Sequence, residues 1–428
     1  MRIGRIDLNG LRSLLEEIEV EKISEPVSTE LGIVSYLRRC KGPVLFENIK
    51  GYPGYRGIGN LCYSREIIAK ALRVDVDKLI EELASALDKP LRYDYTDSAP
   101  FLDNCEGNPD LKEILPLAVF HEKHKRYYTT GTIVLAREPP NGRINASFHR
   151  LMWIGGNRFA IRIVPRDLYR FYTWNRDHGM DTKVVIVCGV HPAICLAAAT
   201  SYPDLNELEY ARVFYDFKCI KIDGIDVPAD AEFVMVGYIL HDEEWEEGPF
   251  IDITGTWDKV RMQPILEVDR VYWRNDPIWH FILPGGVEHR LLMGLPQEPR
   301  IYRIVKNTVP TIRSVYLTPG GCSWLHAVIS IDKRSEGEGV NAGLAALAAH
   351  PSLKLVIVVD LDINIYNPEE VEWALATRLQ PDKGVHIIRG AHGSSLDPST
   401  GKTGLTSKWI IDATLPVDAN REDYRREW

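Results

Sequence analysis

The amino-acid sequence predicts a chain of mixed α/β and β structure organised in three domains. At 428 residues the chain is too long for one simple core. Helix and strand patterns alternate in the N-terminal part, strand patterns dominate from about Tyr127, and the mixture returns near residue 300. We therefore expect an N-terminal α/β domain over 1–115, a central β-barrel or sandwich over 116–300 and a C-terminal α/β domain over 301–428.

The N-terminal domain combines helical and strand patterns. Asn9 is expected to cap a helix whose apolar residues recur at helical spacing. PVLFENI is typical of a short strand, and VDKLIEELASAL repeats apolar residues with the period of a helix.

The central domain is predicted from apolar segments separated by Gly, Pro and Asn. PAICLAAAT is expected to be the only helix among them. The strand segments are YTTGTIVLARE, RFAIRIV, KVVIVCGV and AEFVMVGYIL.

The C-terminal domain again alternates. SVYLTPG, WLHAVISID and LKLVIVVD predict strands, and NAGLAALAAH predicts a helix. Asn367 and Pro368 are strong start signals for a second helix, NPEEVEWALATR. The segment 400–428 is expected to run over the surface as an arm that packs on a second subunit.

Composition narrows the class of protein. A net charge of −9 disfavours a general nucleic-acid binder. The N-terminal sequence lacks the layout of a signal peptide, and no apolar run is long enough to cross a membrane, so we expect a cytoplasmic protein. The seven scattered cysteines favour reduced, mostly buried thiols over disulfides or a zinc site.

Three short stretches contain candidate functional side chains, each of which also has an ordinary structural interpretation. Asn145 and Arg150 stand five residues apart in RINASFHR. Glu207 starts a predicted helix, as Asp167 also could, and first-turn carboxylates are common. EEGPFIDITG places two carboxylates around a turn, either in a partly desolvated pocket or in a solvated acidic loop.

A magnesium loop of a phosphotransferase is a weaker alternative. Asp360 and Asp362 follow a buried-looking strand, but the sequence contains no G-x-x-x-x-G-K-[ST] phosphate loop. It also contains no nucleophile elbow, H-E-x-x-H or dinucleotide fingerprint.

Several motifs occur in the order in which they occur in the UbiD family of prenylated-FMN-dependent decarboxylases, which the chain resembles over nearly its whole length. Each motif alone is weak, but the ordered set is specific. The stretches are INASFHR (for the usual N-x-x-x-x-R), CGVHPAICLAAAT, NELEYA, DVPADAEFVMVGYI, EEGPFIDITG, NDPIWHFILPGG, VVDLDINIYNPEEVEWALATR, SSLDP and SKWIIDAT.

The resemblance implies a central split β-barrel like that of flavin reductases, between two α/β domains. It implies that Arg150, Glu247 and Asp252 form the catalytic network beside the flavin, with Asp252 as proton donor. Some relatives have Glu at the last position. Family members form homodimers or higher homo-oligomers, and a flavin prenyltransferase supplies the cofactor.

The resemblance also implies a divalent metal that binds the cofactor phosphate. Asn145, Asp167 and Glu207 are the implied ligands; Asp167 stands where the family usually has His, and Arg166 takes that place if the register slips by one. An all-oxygen set favours Mn²⁺ or Mg²⁺, and K⁺ is a further expected ion. The implied cofactor-binding residues are Asn145, Ser147, Phe148, His149, Arg150, Thr200, Ser201 and Glu207.

The compact length is similar to that of archaeal members that convert trans-anhydromevalonate 5-phosphate to isopentenyl phosphate. An aromatic acid of the 4-hydroxybenzoate type is the alternative substrate, and a flavin-binding protein without turnover is a third hypothesis. Met293, Arg166 and His289 are expected to contact the substrate. Further cationic candidates for a substrate phosphate are His149, Arg290 and Lys402.

Overall fold

The computed structural model describes residues 10–140 and 142–426, so the predicted cap Asn9 lies outside the described residues. The chain divides into two compact units. The first contains Met1–Val76 and Ala86–Leu292, and the second contains Asp77–Ser85 and Met293–Trp428. The expected boundaries of three domains stay a prediction.

The α-helices are mostly short. In chain order they are α1 Gly10–Glu17, α2 Gly32–Arg39, α3 Arg65–Leu72, α4 Leu79–Ala86, α5 Leu111–Ile114, α6 Asp167–Asp177, α7 Pro192–Ala199, α8 Glu207–Ala211, α9 Val287–Gly294, α10 Gln297–Thr308, α11 Glu338–Ala349, α12 Pro368–Thr377 and α13 Pro381–Gly384.

The β-strands range from two-residue pairings to the long strands of the central sheet. In chain order they are β1 Glu21–Ile23, β2 Val44–Phe46, β3 Arg56–Gly59, β4 Asp94–Tyr95, β5 Asn104–Gly107, β6 Ala118–Val119, β7 Tyr127–Thr129, β8 Thr132–Arg137, β9 Ile144–Phe148, β10 Leu151–Gly155, β11 Arg158–Ile161, β12 Thr182–Cys188, β13 Lys218–Ile222, β14 Ile225–Pro228, β15 Phe233–Glu247, β16 Phe250–Ile251, β17 Trp257–Asp258, β18 Arg261–Trp273, β19 Ile278–Phe281, β20 Ile312–Leu317, β21 His326–Ile331, β22 Leu355–Asp360, β23 Val385–His392 and β24 Leu405–Asp412.

A ten-stranded sheet dominates the first unit. Its order is β6-β7-β10-β11-β18-β15-β12-β8-β9, with β5 paired to β18. Strands β7 and β8 are near opposite ends of this order, yet only Thr130 and Gly131 separate them in the chain. Likewise, only His149 and Arg150 separate β9 from β10. Links this short bring the two ends of the sheet together, so the sheet must curl strongly.

Smaller sheets complete the first unit. Parallel and antiparallel pairings join β1, β2, β3 and β19, a second small sheet has the order β14-β13-β4, and β16 pairs with β17. Ile23, Phe46 and Phe281 of the first small sheet share a buried apolar core with residues of the large sheet. This core supports the strands that carry the predicted catalytic side chains.

The expectation that PAICLAAAT is the only helix of the central segment is wrong. Helix α6 also lies there, and so does α8, which begins at Glu207 as the local pattern predicted. Helix α6 buries only Leu168, Phe171 and Tyr172 and is otherwise polar, so its helical period is less evident than that of the fully apolar α7. RINASFHR forms a strand, β9, over most of its length.

The second unit contains a five-stranded sheet of order β20-β21-β22-β24-β23. The strands and helices expected here are present, and the Asn367 side chain accepts a hydrogen bond from the Glu369 amide as the predicted cap of α12. The prediction that residues 400–428 run over the surface as an arm is wrong for the part that forms β24. This strand lies between β22 and β23. Its Ile410 is fully buried, which accounts for the apolar residues in KWIID.

The carboxylates of the magnesium-loop alternative are bound by an arginine. Asp360 is fully buried and accepts hydrogen bonds from Arg378 at 3.1 Å and from the Leu415 amide at 2.8 Å. Arg378 also donates to Asp362 at 2.6 and 2.9 Å. These contacts explain the two aspartates as partners of a buried guanidinium.

All seven cysteines are free thiols, and five of them are buried, as expected. Within residues 10–140 and 142–426, no helix combines the length and the apolar character that crossing a lipid bilayer requires.

We predict that Gly131→Ala destabilises the first unit. A Cβ atom at Gly131 would lie 2.2 Å from the carbonyl oxygen of His280, which is backbone and cannot yield without moving β19. Such overpacking typically costs about 1–3 kcal/mol or more, which thermal unfolding would detect. Gly107→Ala is the matched control, because a Cβ atom at Gly107 would have no neighbour within 4 Å; equal unfolding temperatures for the two variants would contradict the prediction.

Candidate active site

A buried ion pair joins Arg150 to Glu247. Arg150 follows β9, and Glu247 ends β15. The Nε and Nη2 atoms of Arg150 donate to the two carboxylate oxygens of Glu247 at 2.9 and 2.8 Å. Glu247 is fully buried, and the Arg150 side chain is 10% exposed. This two-point geometry is the strongest form of an arginine–carboxylate contact and defines the orientation of both groups.

Tyr128 supplies a third hydrogen bond to Glu247. Its hydroxyl donates to Oε1 at 3.1 Å from strand β7. Burial, reinforced by the charge of Glu247, raises the pKa of the Tyr128 phenol well above its usual value, so this hydroxyl remains a donor. Sequence reasoning missed Tyr128, although it stands in the YTTG stretch that predicted a strand.

The predicted third member, Asp252, lies at the edge of the same network. Its Oδ2 atom is 3.8 Å from Nη1 of Arg150, which is too long for a hydrogen bond. Its Oδ1 atom accepts from the Ile253 amide at 2.7 Å, and its side chain is 17% exposed. The structure therefore brings Arg150, Glu247 and Asp252 together and leaves Asp252 the least engaged of the three.

The hairpin formed by β16 and β17 packs against Arg150. Phe250 pairs with Asp258 in its register, and the Phe250 ring lies 4.4 Å from the Arg150 guanidinium carbon. Stacking of a cation on an aromatic face adds to the ion pair. Gly248 adopts a φ of 103°, which favours glycine, and it allows β15 to turn into this hairpin.

Asp258 is a fourth charged member that sequence reasoning missed. It accepts from Nη2 of Arg150 at 2.9 Å and from Nη1 of Arg261 at 2.6 Å. Burial would raise the pKa of Asp258, but the hydrogen bonds from Arg261 and Arg150 outweigh it and hold this pKa below its usual value. TWDKVR alone contains no signal for this role, because the contact depends on the pairing of β16 with β17.

The predicted metal ligands Asn145 and Glu207 are in contact. The Asn145 amide nitrogen donates to Oε1 of Glu207 at 3.0 Å, and the Ala146 amide donates to Oε2 at 2.9 Å. Glu207 is 3% exposed at the start of α8, as the sequence predicted for a first-turn residue. Burial raises the pKa of Glu207 to about 8, with backbone hydrogen bonds opposing. A nearby cation would therefore favour its ionised form strongly.

Asp167 is less available to a metal. Its side chain is 30% exposed and forms ion pairs with Arg143 at 2.9 Å and with Arg170 at 3.2 Å. Among the residues that the structure describes, His, Cys, Asp and Glu side chains do not gather in groups of three or more that could hold a metal ion. Asn145 and Glu207 are thus the two better-defined members of the three predicted ligands.

Side chains of β9 and of His149, which follows it, form a hydrogen-bonded row. The Ser147 hydroxyl lies 3.1 Å from Oδ1 of Asn145 and 3.0 Å from Nε2 of His149. The Nδ1 atom of His149 lies 2.8 Å from the Arg162 carbonyl oxygen. Burial lowers the pKa of His149 to about 4, so the ring is neutral at pH 7 and carries no charge for a phosphate. Phe148, the next predicted cofactor contact, is half-buried.

Thr200 and Ser201 follow α7. The Thr200 hydroxyl donates to the Leu196 carbonyl oxygen at 2.8 Å and is buried, while Ser201 is half-buried. Their predicted contacts with a cofactor stay predictions.

His289 and Arg290 lie near Asp252. Nδ1 of His289 accepts from the Gly285 amide at 3.0 Å, so its proton is on Nε2. Burial lowers the pKa of His289, and the charges of Asp252 and Arg150 act on it. Arg290 donates to the Ile253 carbonyl oxygen at 3.0 Å. The exposed Arg166 precedes α6, whereas Met293 and Lys402 belong to the second unit and stay predictions.

Family models cover most of the chain. The 3-octaprenyl-4-hydroxybenzoate carboxy-lyase Rift-related domain matches residues 94–287, and the N-terminal and C-terminal domains of the same UbiD proteins match residues 11–87 and 290–413.

Individual relatives agree with these models. An anhydromevalonate phosphate decarboxylase of Methanothermobacter thermautotrophicus is 43% identical over 424 residues, 97% of this chain and 99% of the relative. The UbiD-class enzyme HmfF of Pelotomaculum thermopropionicum, solved with FMN, has a TM-score of 0.95 at 36% identity and covers 98% of this chain and 97% of its own. An evolved dimeric form of HmfF, solved with prFMN, has a TM-score of 0.90 at 34% identity, with coverage of 98% and 99%. The mixed α/β chain therefore belongs to the UbiD family of carboxy-lyases.

Proposed function

We propose that this protein is a prenylated-FMN-dependent decarboxylase that converts trans-anhydromevalonate 5-phosphate to isopentenyl phosphate and CO₂. The observation that carries the proposal is the convergence of Arg150, Glu247 and Asp252 in a chain that is 43% identical to a decarboxylase of this acid. An aromatic acid of the 4-hydroxybenzoate type is the second candidate, because the matching family model is described by a hydroxybenzoate substrate.

The curled ten-stranded sheet is proposed to be the split β-barrel that binds the cofactor. Two links, each only two residues long, join strands near opposite ends of the sheet and support this interpretation. When bound, prenylated FMN supplies the electron sink for loss of CO₂ from an unsaturated acid. The FMN and prFMN complexes of HmfF support this choice of cofactor.

Asn145 and Glu207 are proposed to hold a divalent cation near the cofactor phosphate, with Asp167 as a third oxygen ligand. Glu207 is buried and accepts hydrogen bonds only from neutral groups in the described structure, namely the Asn145 side chain and the Ala146 amide. A bound cation would stabilise the charged form of a buried carboxylate whose hydrogen-bond donors are neutral. Oxygen ligands suit Mn²⁺ or Mg²⁺.

Glu247 and Asp252 are proposed to have different roles. Glu247 accepts three hydrogen bonds and is fully buried, so it orients Arg150 and has little freedom to exchange a proton. Asp252 makes one hydrogen bond through Oδ1 and is partly exposed, which leaves Oδ2 free to transfer a proton to the product carbon. The Nη1 atom of Arg150 faces the same space and can bind the substrate carboxylate.

A homo-oligomer is proposed as the assembled form, and a flavin prenyltransferase as the supplier of the cofactor. The dimeric form of HmfF supports self-association of this fold.

The proposed reaction is tested with protein co-expressed with a flavin prenyltransferase. We expect CO₂ release from trans-anhydromevalonate 5-phosphate and not from 4-hydroxybenzoate. Release from the aromatic acid alone would favour the second candidate. Bound flavin without release from either acid would favour a binding protein and would contradict the proposed function.

We predict that Asp252→Asn abolishes CO₂ release while flavin binding is retained. The amide keeps the size of the side chain but cannot deliver the proton that completes the reaction. Flavin absorbance of the purified variant measures cofactor content. Asp242→Asn, in the exposed acidic run, is the control that should keep full activity, and wild-type turnover in Asp252→Asn would refute the role of Asp252.

We predict that Asp258→Asn lowers stability in a pH-dependent manner. The pKa of Asp258 is lower in the folded protein than in the unfolded chain. The stability that its charged form contributes is therefore fully present above the pKa of the unfolded chain, about 3.9. The contribution disappears as pH falls through the lower folded value. We expect the Asp258→Asn variant to have a free energy of unfolding about 1–3 kcal/mol lower than wild type at pH 7. This difference should shrink below pH 4.

Thermal unfolding across this pH range measures the effect of Asp258→Asn. Asp269→Asn is the control, because Asp269 is an exposed residue of β18, the strand that follows β17 in the chain. A difference from wild type that stays constant down to pH 2 would rule out the linkage.

A further inference from the structure

A buried ion pair joins His280 to Glu288. His280 lies in β19, and Glu288 is the second residue of α9. Nε2 of His280 is 2.9 Å from Oε1 of Glu288, and the two side chains are 0% and 1% exposed. The Cys62 amide donates to the same Oε1 atom at 2.8 Å. The segment between β3 and α3, strand β19 and helix α9 therefore meet at one carboxylate.

The His280 ring is positively charged at pH 7. Burial lowers its pKa, but the charge of Glu288 and a contact with Cys195 outweigh burial and raise this pKa to about 10. Oε2 of Glu288 is buried and has no hydrogen-bond partner among residues 10–140 and 142–426. Apolar side chains of similar volume often stabilise an interior equally well, whereas a buried ion pair requires one geometry. The pair therefore fixes where α9 begins relative to β19.

The first turn of α9 and the residues before it contact the loop that carries Asp252. Nε of Arg290 donates to the Ile253 carbonyl oxygen at 3.0 Å. A Cβ atom at Gly285 would lie 3.0 Å from the Asp252 carbonyl oxygen, so the two backbones pack closely. The Gly285 amide donates to Nδ1 of His289 at 3.0 Å, which ties this backbone to the helix. The position of α9 therefore sets the position of the Asp252 loop.

The backbone of this loop in turn orients the Asp252 carboxylate. The Ile253 amide donates to Oδ1 of Asp252 at 2.7 Å. The Asp252 amide donates to the Thr256 carbonyl oxygen at 3.1 Å, and the Asp252 carbonyl oxygen accepts from the Gly255 amide at 2.8 Å. Arg150, in contrast, has its carboxylate partners in β15 and β17. A shift of α9 would therefore move the Asp252 carboxylate relative to Arg150.

We propose that the ion pair of His280 and Glu288 positions Asp252 for proton transfer by fixing the helix on which the Asp252 loop packs. The pair acts on Asp252 through Gly285 and Arg290, so both of its members are positioning residues. This inference rests on the proposed function, because it assigns the buried pair to the proton-transfer step of that reaction. Misplacing a reacting group by about 1 Å can lower a rate about a hundredfold, so a small shift of α9 is sufficient to matter.

The kinetics of protein loaded with prenylated FMN test this role. Glu288→Gln keeps the size of the side chain and an oxygen for the Cys62 amide, but it removes the charge. We expect kcat per bound flavin to fall at least about tenfold and KM to stay within about twofold, because Arg150 still binds the substrate carboxylate. The solvent deuterium isotope effect on kcat should increase, since proton transfer becomes the slow step. A lower kcat with an unchanged isotope effect would mean a loss of active enzyme and would overturn the proposal.

Glu232→Gln is the matched control variant. Glu232 is fully buried, accepts from Arg12 at 2.7 Å through both carboxylate oxygens, and accepts from the amide of Ile278, the first residue of β19, at 3.0 Å. Its replacement removes a buried charge beside the same strand without touching α9. We expect a lower unfolding temperature but the isotope effect of wild type. An equal increase of the isotope effect in both variants would assign the effect to general destabilisation and contradict the positioning role.

Hydrogen–deuterium exchange of the flavin-loaded protein tests the geometry without turnover. Glu288→Gln should speed exchange of the amides of residues 250–256 at least about threefold, because a loop that is less firmly held opens more often, and Glu232→Gln should not. His280→Gln removes the same ion pair from its other side and provides the same test should Glu288→Gln not fold. If wild type releases no CO₂ from either acid, the proposed function fails, while this comparison still decides whether the pair positions the loop. Exchange at the wild-type rate in residues 250–256 of the ion-pair variants would overturn it.

Discussion

The buried ion pair between Arg150 and Glu247 is the contact on which the candidate site depends. Removing two charges from water is unfavourable, and only close geometry with every remaining atom bonded offsets it. Here Glu247 is fully buried and accepts from Arg150 twice and from Tyr128 once. Because those bonds occupy Nε and Nη2 of Arg150, Nη1 is the part of the guanidinium left to face Asp252 and a ligand.

The curled sheet makes this ion pair possible. Arg150 lies in a two-residue link between strands that are far apart in the order of the sheet, and Glu247 ends the long strand β15. Tyr128 comes from β7, next to the second short link. Two short links therefore collect side chains from distant parts of the chain on one side of the sheet. Close backbone approaches such as Gly131 to the His280 carbonyl group maintain that curvature.

The charged groups of the candidate site differ in their partners. Asp258 and Glu247 neutralise Arg150 and Arg261. Glu207 is a buried carboxylate whose side-chain and backbone hydrogen-bond donors in the described structure are neutral, and the charge of Arg143 acts on it from a distance.

The sequence by itself determined the local elements and the candidate residues whose signals are local: the cap at Asn367, the helix start at Glu207, and Arg150, Glu247 and Asp252 through ordered motifs. It could not reveal Asp258 or Tyr128, because each depends on which strand lies opposite. It also missed β24, whose place between two strands no local pattern specifies. Long-range pairing decided these features, since a side chain acquires its partners only when distant segments meet.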